Sequence, residues 1–223
     1  TIEAVRVAEA AAIAAHRQIG LGDEKAADQV AVDAMRTALN GLDIDGQVVI
    51  GEGERDEAPM LFIGEKVGSG KGQKIDIALD PLEGTTLTAT GGTNALAVIA
   101  FATEGGLLNA PDVYMDKIAV GGGLPNGVID LDADPGENIR ELAKAKSCET
   151  RDIVACILSR PRHEEMIAKV REAGASIRLI PDGDVAGVIA TATPMTGIDI
   201  YMGTGGAPEG GLAAAALRST GGQ

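Results

Sequence analysis

From Ile153 onward the chain alternates between two periods, and this alternation limits the possible folds more than any other feature. The apolar runs Ile153 to Leu158, Ile177 to Ile180 and Ile198 to Met202 have the length and β-branched content of buried strands. Helical patterning fills the segments from Arg162 or His163 to Ala173, from Asp184 to Thr191, and in an Ala-rich stretch near Pro208 to Leu217. Strand and helix in turn predict parallel strands joined by right-handed crossovers. In such sheets ligands bind outside the carboxyl ends of the strands. The loops expected there are Ser159-Arg160-Pro161-Arg162, Pro181-Asp182-Gly183-Asp184 and the Gly-rich run from Gly203 to Gly210. They hold the charged residues of this half.

The earlier part has a different rhythm. Two helices are expected before Gly41, with Val5, Ala8, Ala12 and Ala15 along one stripe and Val30, Ala34, Met35 and Ala38 along the other. Gly20 and Gly22 separate them, and Asp23 is the expected N-cap of the second. Extended runs follow at Val48 to Ile50, Met60 to Ile63, Lys74 to Leu79, Ala95 to Phe101 and Lys117 to Val120, divided by Gly, Pro and Asp. The expectation is an α/β protein in two parts. Residues 1–137 form helices on a largely antiparallel or mixed sheet, α+β in character, and residues 138–223 form the half with alternating elements and a parallel sheet. The polar stretch Gly68 to Lys74 reads as a surface turn.

At 223 residues and 45% hydrophobic content the chain can bury a substantial core. Only 2% of it is aromatic, with no Trp, so the core must come from Ala, Val, Ile and Leu, and recognition of a ligand by aromatic stacking is disfavoured. The 33 acidic against 19 basic residues give a net charge of −14, which argues against nucleic acid or an anionic membrane surface as partner. An anionic ligand would need metal ions or a few local Arg and Lys to invert the field. No apolar run has the length of a membrane span, and no signal-type segment is seen. Cys148 and Cys156 lack disulfide or CxxC spacing and read as small apolar residues in a reducing compartment, the cytoplasm. His16 and His163 show no metal or triad spacing and read as structural.

Two acidic segments have chemical potential. In Asp80-Pro81-Leu82-Glu83-Gly84-Thr85 a strand ends in an acid, Pro and Gly bend the backbone, and a second acid and a hydroxyl follow. This is either a solvated acidic turn or a site for a hard cation such as Mg²⁺ or Mn²⁺, which takes oxygen ligands. The run Gly51-Glu52-Gly53-Glu54-Arg55-Asp56-Glu57 is either a charged surface loop or a cluster whose repulsion a dication relieves. Nucleotide motifs fail: Gly72 stands where a P-loop needs Ser or Thr after Lys71, and Gly203 to Pro208 lacks the third glycine of a dinucleotide fingerprint. Arg160 and Arg162, before a helix start, suit phosphate binding or surface ion pairs. Asp182 and Asp184 suit sugar hydroxyls or a helix cap, and Glu209 suits the dipole of the last helix.

The order of these segments is more specific than any one of them. Gly22-Asp23 with Asp28, Ile50 to Glu54, Glu57-Ala58-Pro59-Met60-Leu61, Asp80 to Thr86, Ala110 to Met115, Arg160 to His163, Pro181 to Asp184 and Gly205 to Gly210 together resemble the class II fructose-1,6-bisphosphatase family, including its dual fructose/sedoheptulose members. The resemblance runs over essentially the whole chain. It implies the layered αβαβα fold of the lithium-sensitive, metal-dependent sugar phosphatases. One metal position would fall to Asp28 and Glu52 and a second to Asp80, Glu83 and Glu209, filled by Mn²⁺ or Mg²⁺. Substrate positions would be Glu83, Gly84, Thr85, Tyr114, Arg160, Pro161, Arg162, Asp182, Gly183, Asp184 and Gly206, with Thr85 and Asp28 acting on the attacking water.

The activity so implied is hydrolysis of the 1-phosphate of fructose 1,6-bisphosphate, a gluconeogenic reaction, by a homo-oligomer. Competing expectations are an inositol or nucleotide 3′-phosphate phosphatase and a non-catalytic phosphosugar-binding protein. Members of the family continue beyond the helix ending near Leu217, so a further C-terminal part is expected.

Overall fold

A computed structural model describes residues 2–53 and 60–223, which fall into two compact units, Thr1–Asp112 and Val113–Gln223. Glu54, Arg55, Asp56, Glu57, Ala58 and Pro59 of the acidic run lie outside the described residues.

In the first unit, helices α1 (Ile2–His16) and α2 (Glu24–Asn40) precede strands β1 (Ile44–Ile50), β2 (Lys66–Val67), β3 (Gln73–Glu83) and β4 (Leu96–Thr103), with helix α3 (Thr85–Thr90) between the last two. The sheet order is β2-β1-β3-β4, with β1 parallel to β3 and the other pairs antiparallel, so the sheet is mixed as expected. Val7, Ala11 and Ala15 of α1 and Ala27, Ala31, Met35 and Leu39 of α2 pack with Val48, Ile77 and Leu79 of the sheet. Their small side chains bring helix and sheet backbones close.

The buried stripe of α1 differs from the expected one, since Val5 is 54% exposed and Ala12 is also exposed. An Ala-rich helix offers several stripes of similar apolarity, and packing selects the one carrying Val7. In α2 the buried face is rotated likewise: Met35 is buried, while Val30, Ala34 and Ala38 are only half-buried. The Asp23 side chain caps α2 by accepting from the Ala26 N–H at 3.0 Å.

Met60 to Ile63 is not a strand. Leu61 takes a left-handed φ of 57°, its carbonyl accepts from the Glu52 N–H, and the Ile63 N–H donates to Gly53. The segment spends its backbone groups on the acidic loop instead of a ladder. Buried Glu65 anchors the turn, accepting from the Leu61 N–H and from Arg36.

The second unit contains β5 (Tyr114–Val120), α4 (Pro135–Ala145), β6 (Val154–Leu158), α5 (Glu164–Glu172), β7 (Ser176–Ile180), α6 (Asp184–Thr191), β8 (Ile200–Gly206) and α7 (Ala207–Thr220). Its sheet order is β5-β8-β6-β7, with β6 parallel to β7 and β8 and with β5 antiparallel to β8. One face carries Ala155, Ile157, Ile200 and Met202 against Ile139 and Leu142 of α4 and Ile167 and Val170 of α5. The other carries Ala119, Cys156 and Tyr201 against Val188 of α6 and Ala213 of α7. Burial raises the Cys156 thiol to about 11, in keeping with a packing role.

The units divide at Asp112, earlier than residue 137, because β5 joins β8 rather than the first sheet. An antiparallel edge strand carries no crossover helix to announce its partner. Helix α4 was not foreseen. Its N-cap Asp134 accepts from the Gly136 N–H at 2.9 Å, Pro135 opens the first turn, and Ile139 and Leu142 bury its apolar face. The fold is a mixed α/β one. Helices over a sheet in the first unit, and helices on both faces of a sheet in the second, are the kinds of layer an αβαβα sugar-phosphatase fold requires.

Candidate active site

In the first unit the acidic residues gather at strand ends. Strand β1 runs parallel to β3, so Glu52, just past β1, leaves the sheet at the same edge as Asp80 and Glu83 at the end of β3. In β3, Asp80 pairs with Val98 of β4 and Glu83 with Leu96, so the three steps from Asp80 to Glu83 answer two steps on the partner. Residues two apart on a strand share a face. The bulge therefore puts both carboxylates on the face opposite Leu79 and Leu82, which belong to the helix-facing core. Pro81 is tolerated there because a bulge removes a ladder bond in any case. The Leu82 N–H instead donates to Asp80 Oδ1 at 3.0 Å.

Directly after Glu83, Gly84 takes a φ of 92° as the N-cap of α3, and Thr85 is the first helical residue. The left-handed cap requires glycine. The turn between α1 and α2 is tied to α3 by the Gly20 N–H to Thr88 O and the Gly22 N–H to Ala89 O, each at 2.9 Å. That fixes the start of α2, which carries Asp28. Burial raises the Asp28 carboxyl above its ordinary value of 3.8, since desolvation penalises the charged form.

In the second unit the expected substrate residues collect at one end of the sheet. The loops after β6 and β7 supply Arg160 to Arg162 and Asp182 to Asp184, while Tyr114, at the start of β5, pairs with Gly206 at the end of β8. The Arg162 guanidinium lies 4.9 Å from the centroid of the Tyr114 ring and donates twice to the Thr204 carbonyl, at 3.0 and 2.7 Å. Arg160 donates to Pro181 O at 2.5 Å and forms an ion pair of 3.7 Å with Asp182, so the first loop is bound to the second. Gly183 repeats the solution found at Gly84, an N-cap with a φ of 86° and no side-chain cap. Capping by an aspartate, the alternative to sugar binding that the sequence offered, therefore does not occur, and Asp184 is the first residue of α6.

His163 is structural, as expected. Its buried ring meets Leu158 O through Nδ1 at 2.8 Å and accepts the Thr204 N–H on Nε2 at 2.8 Å, which places the proton on Nδ1. It thereby holds the loop after β6 to the end of β8. Lys117, not singled out in the sequence, is buried on β5 and pairs with Asp184. A lysine opening the apolar run to Val120 was the one signal of it.

The donors suit a hard dication. Glu209 stands in the first turn of α7, and its Oε2 is buried with no hydrogen-bond partner among the described residues. A Cβ on Gly206 would lie 2.0 Å from that oxygen, so the glycine leaves the space the carboxylate fills. Buried carboxylate oxygen is what Mg²⁺ and Mn²⁺ coordinate. Among the described residues no three His, Cys, Asp or Glu side chains form a ready cluster; of the five expected ligands, Asp28, Glu52, Asp80 and Glu83 belong to the first unit and Glu209 to the second.

Paired carboxylates at one strand end and an Arg- and Asp-lined sheet end have the chemistry to bind a metal ion and a phosphate ester. Comparison with known proteins makes the family specific. The chain matches the model of bacterial fructose-1,6-bisphosphatase, glpX-encoded, over residues 1–223, and it belongs to that family. It is 50% identical over 218 residues to fructose-1,6-bisphosphatase 1 class 2 of Escherichia coli K12, a match covering 98% of this chain and 65% of that protein. It is 48% identical over 221 residues to fructose-1,6-bisphosphatase class 2 of Haemophilus influenzae, covering 99% of this chain and 66% of the relative. The chain thus spans just under two thirds of the length of these curated relatives. Among the described residues no helix is long and apolar enough to cross a membrane.

Proposed function

We propose that the chain hydrolyses the 1-phosphate of fructose 1,6-bisphosphate to fructose 6-phosphate and inorganic phosphate, with sedoheptulose 1,7-bisphosphate as a second substrate. The observation that carries this reading is the bulge that turns Asp80 and Glu83 to one face immediately before Thr85. The names of the relatives supply the substrate.

Asp28 and Glu52 would hold one Mn²⁺ or Mg²⁺, and Asp80, Glu83 and Glu209 a second. When bound, such ions neutralise phosphate charge and lower the cost of the leaving alkoxide. The Thr85 hydroxyl orients the attacking water and the Asp28 carboxylate takes up its proton; that water's oxygen bonds to phosphorus as the bond to the sugar oxygen breaks, and the freed sugar oxygen takes a proton from solvent. Glu83, Gly84 and Thr85 line the reacting phosphate. Arg160 and Arg162, with Pro161 between them, bind the phosphate that stays, and Tyr114 backs the Arg162 guanidinium. Asp182 and Asp184, on either side of Gly183, accept sugar hydroxyls, and Gly206, beside Glu209, is a further substrate position. A homo-oligomer in the cytoplasm is part of the same reading.

The test is phosphate release by the intact gene product from fructose 1,6-bisphosphate, with and without Mn²⁺, beside inositol 1-phosphate. Metal-dependent release favouring the sugar bisphosphate is expected. Equal or greater release from inositol phosphate would overturn the substrate assignment.

A further inference from the structure

On the face of the second sheet that meets α6 and α7, strand β8 presents Tyr201 and then no side chain at Gly203 and Gly205. Lys117 of β5 pairs with Gly203, and its ammonium reaches to the side of Gly205. Its Nζ lies 2.5 Å from Asp184 Oδ2, and the two side chains are only 6% and 7% exposed. The fit is tight at Gly205. A Cβ on Gly205 would come within 2.3 Å of Asp184 Oδ2 and 3.2 Å of Lys117 Nζ.

A buried ion pair is a weak device for stability, because the desolvation of both ions offsets their attraction. A glycine and a lysine given over to one carboxylate call for another explanation. Asp184 stands at the sheet end, one residue past the left-handed Gly183, where Arg160 and Asp182 also lie. Lysine fixes Oδ2 and so fixes the direction in which Oδ1 points. We propose that Lys117 is a positioning residue for sugar recognition, holding Asp184 so that Oδ1 accepts a substrate hydroxyl, and that Gly205 is the space which permits it. The inference rests on the sugar-phosphate reading given above.

The experiment is calorimetric binding of fructose 1,6-bisphosphate and of pyrophosphate, a phosphate ligand without hydroxyls, to the full chain and to Lys117→Met and Gly205→Ala variants. One hydrogen bond to a charged group corresponds to about 10-fold or more in affinity. Both variants should weaken the sugar bisphosphate by at least about that factor and pyrophosphate by less than about 3-fold. Gly205→Ala keeps the ion pair's residues and serves if Lys117→Met fails to fold. Equal losses for the two ligands, or undiminished sugar binding, would overturn the assignment of Lys117. If the unaltered chain binds pyrophosphate but not the sugar bisphosphate, the sugar-phosphate reading itself falls, a result distinct from equal binding by chain and variant.

Discussion

Asp80 and Glu83, three residues apart, stand on one face of β3 because the strand bulges by one residue against Val98 and Leu96 of β4. The same bulge gives Asp80 two duties. One oxygen accepts the Leu82 N–H and stabilises the bend, and in the function proposed above the charge serves a cation.

These duties separate on substitution. Asn at position 80 keeps an acceptor for the Leu82 N–H, whereas Ala removes it. Asp80→Asn should therefore melt within about 1 °C of the unaltered chain, and Asp80→Ala about 2–4 °C lower, the shift for a lost hydrogen bond of ~1 kcal/mol in a chain of this size. Both should lose Mn²⁺-dependent phosphate release by about 100-fold or more, the scale expected when metal catalysis of a phosphate ester is removed. Thermal melts and a phosphate assay on the same preparations check both halves. Retained activity in Asp80→Asn would free that residue from the metal.

Asp28 predicts a change of opposite sign. Because burial disfavours its charged form, a neutral isostere should raise metal-free stability near neutral pH by about 1–2 °C, while a bound cation reverses the penalty. Mn²⁺ should raise the melting temperature of the unaltered chain and raise that of Asp28→Asn less. An equal Mn²⁺ shift in both would remove Asp28 from the ligand set.

Arg162 is held by Tyr114 and Thr204, so its guanidinium geometry and not merely its charge should matter. Arg162→Lys should weaken fructose 1,6-bisphosphate by about 10-fold and fructose 1-phosphate by less, and Tyr114→Leu should follow the same order. KM values for the two esters measure this. Equal losses would detach Arg162 from the phosphate that is not hydrolysed.

The sequence was most legible where each element carries its own period and its own cap. Asp23 and the span Asp184–Thr191 emerged as read. Elements whose identity depends on a distant partner were harder to read. Several alanine-rich stripes compete on α1, so only packing could choose Val7 over Val5. Met60 to Ile63 has strand composition, but its backbone bonds go to Glu52 and Gly53. The acidic turn at Asp80 was plain, yet the bulge that aligns its carboxylates exists only in the register with β4. Lys117 and Asp184 are 67 residues apart, and no local spacing joins them.

Asp134 offers a pH dependence away from the proposed metal ligands. Its carboxyl is held below its ordinary value of 3.8, first by the hydrogen bond from Lys169 and then by the backbone N–H of Gly136. A depressed acid contributes stability that is present above its unfolded value and is lost as pH falls through the folded one. Asn at this position keeps the N-cap and removes only the charge. Both groups are exposed, so the ion pair itself is worth little. Asp134→Asn should lower the melting temperature by no more than about 1–2 °C at neutral pH. The gap between the two proteins should close below the ordinary carboxylate range, not above it. Lys169→Met should move the Asp134 carboxyl titration, followed by ¹³C NMR, back towards its ordinary value while the cap persists. A titration that stays depressed in Lys169→Met would assign the effect to the Gly136 N–H at the start of α4.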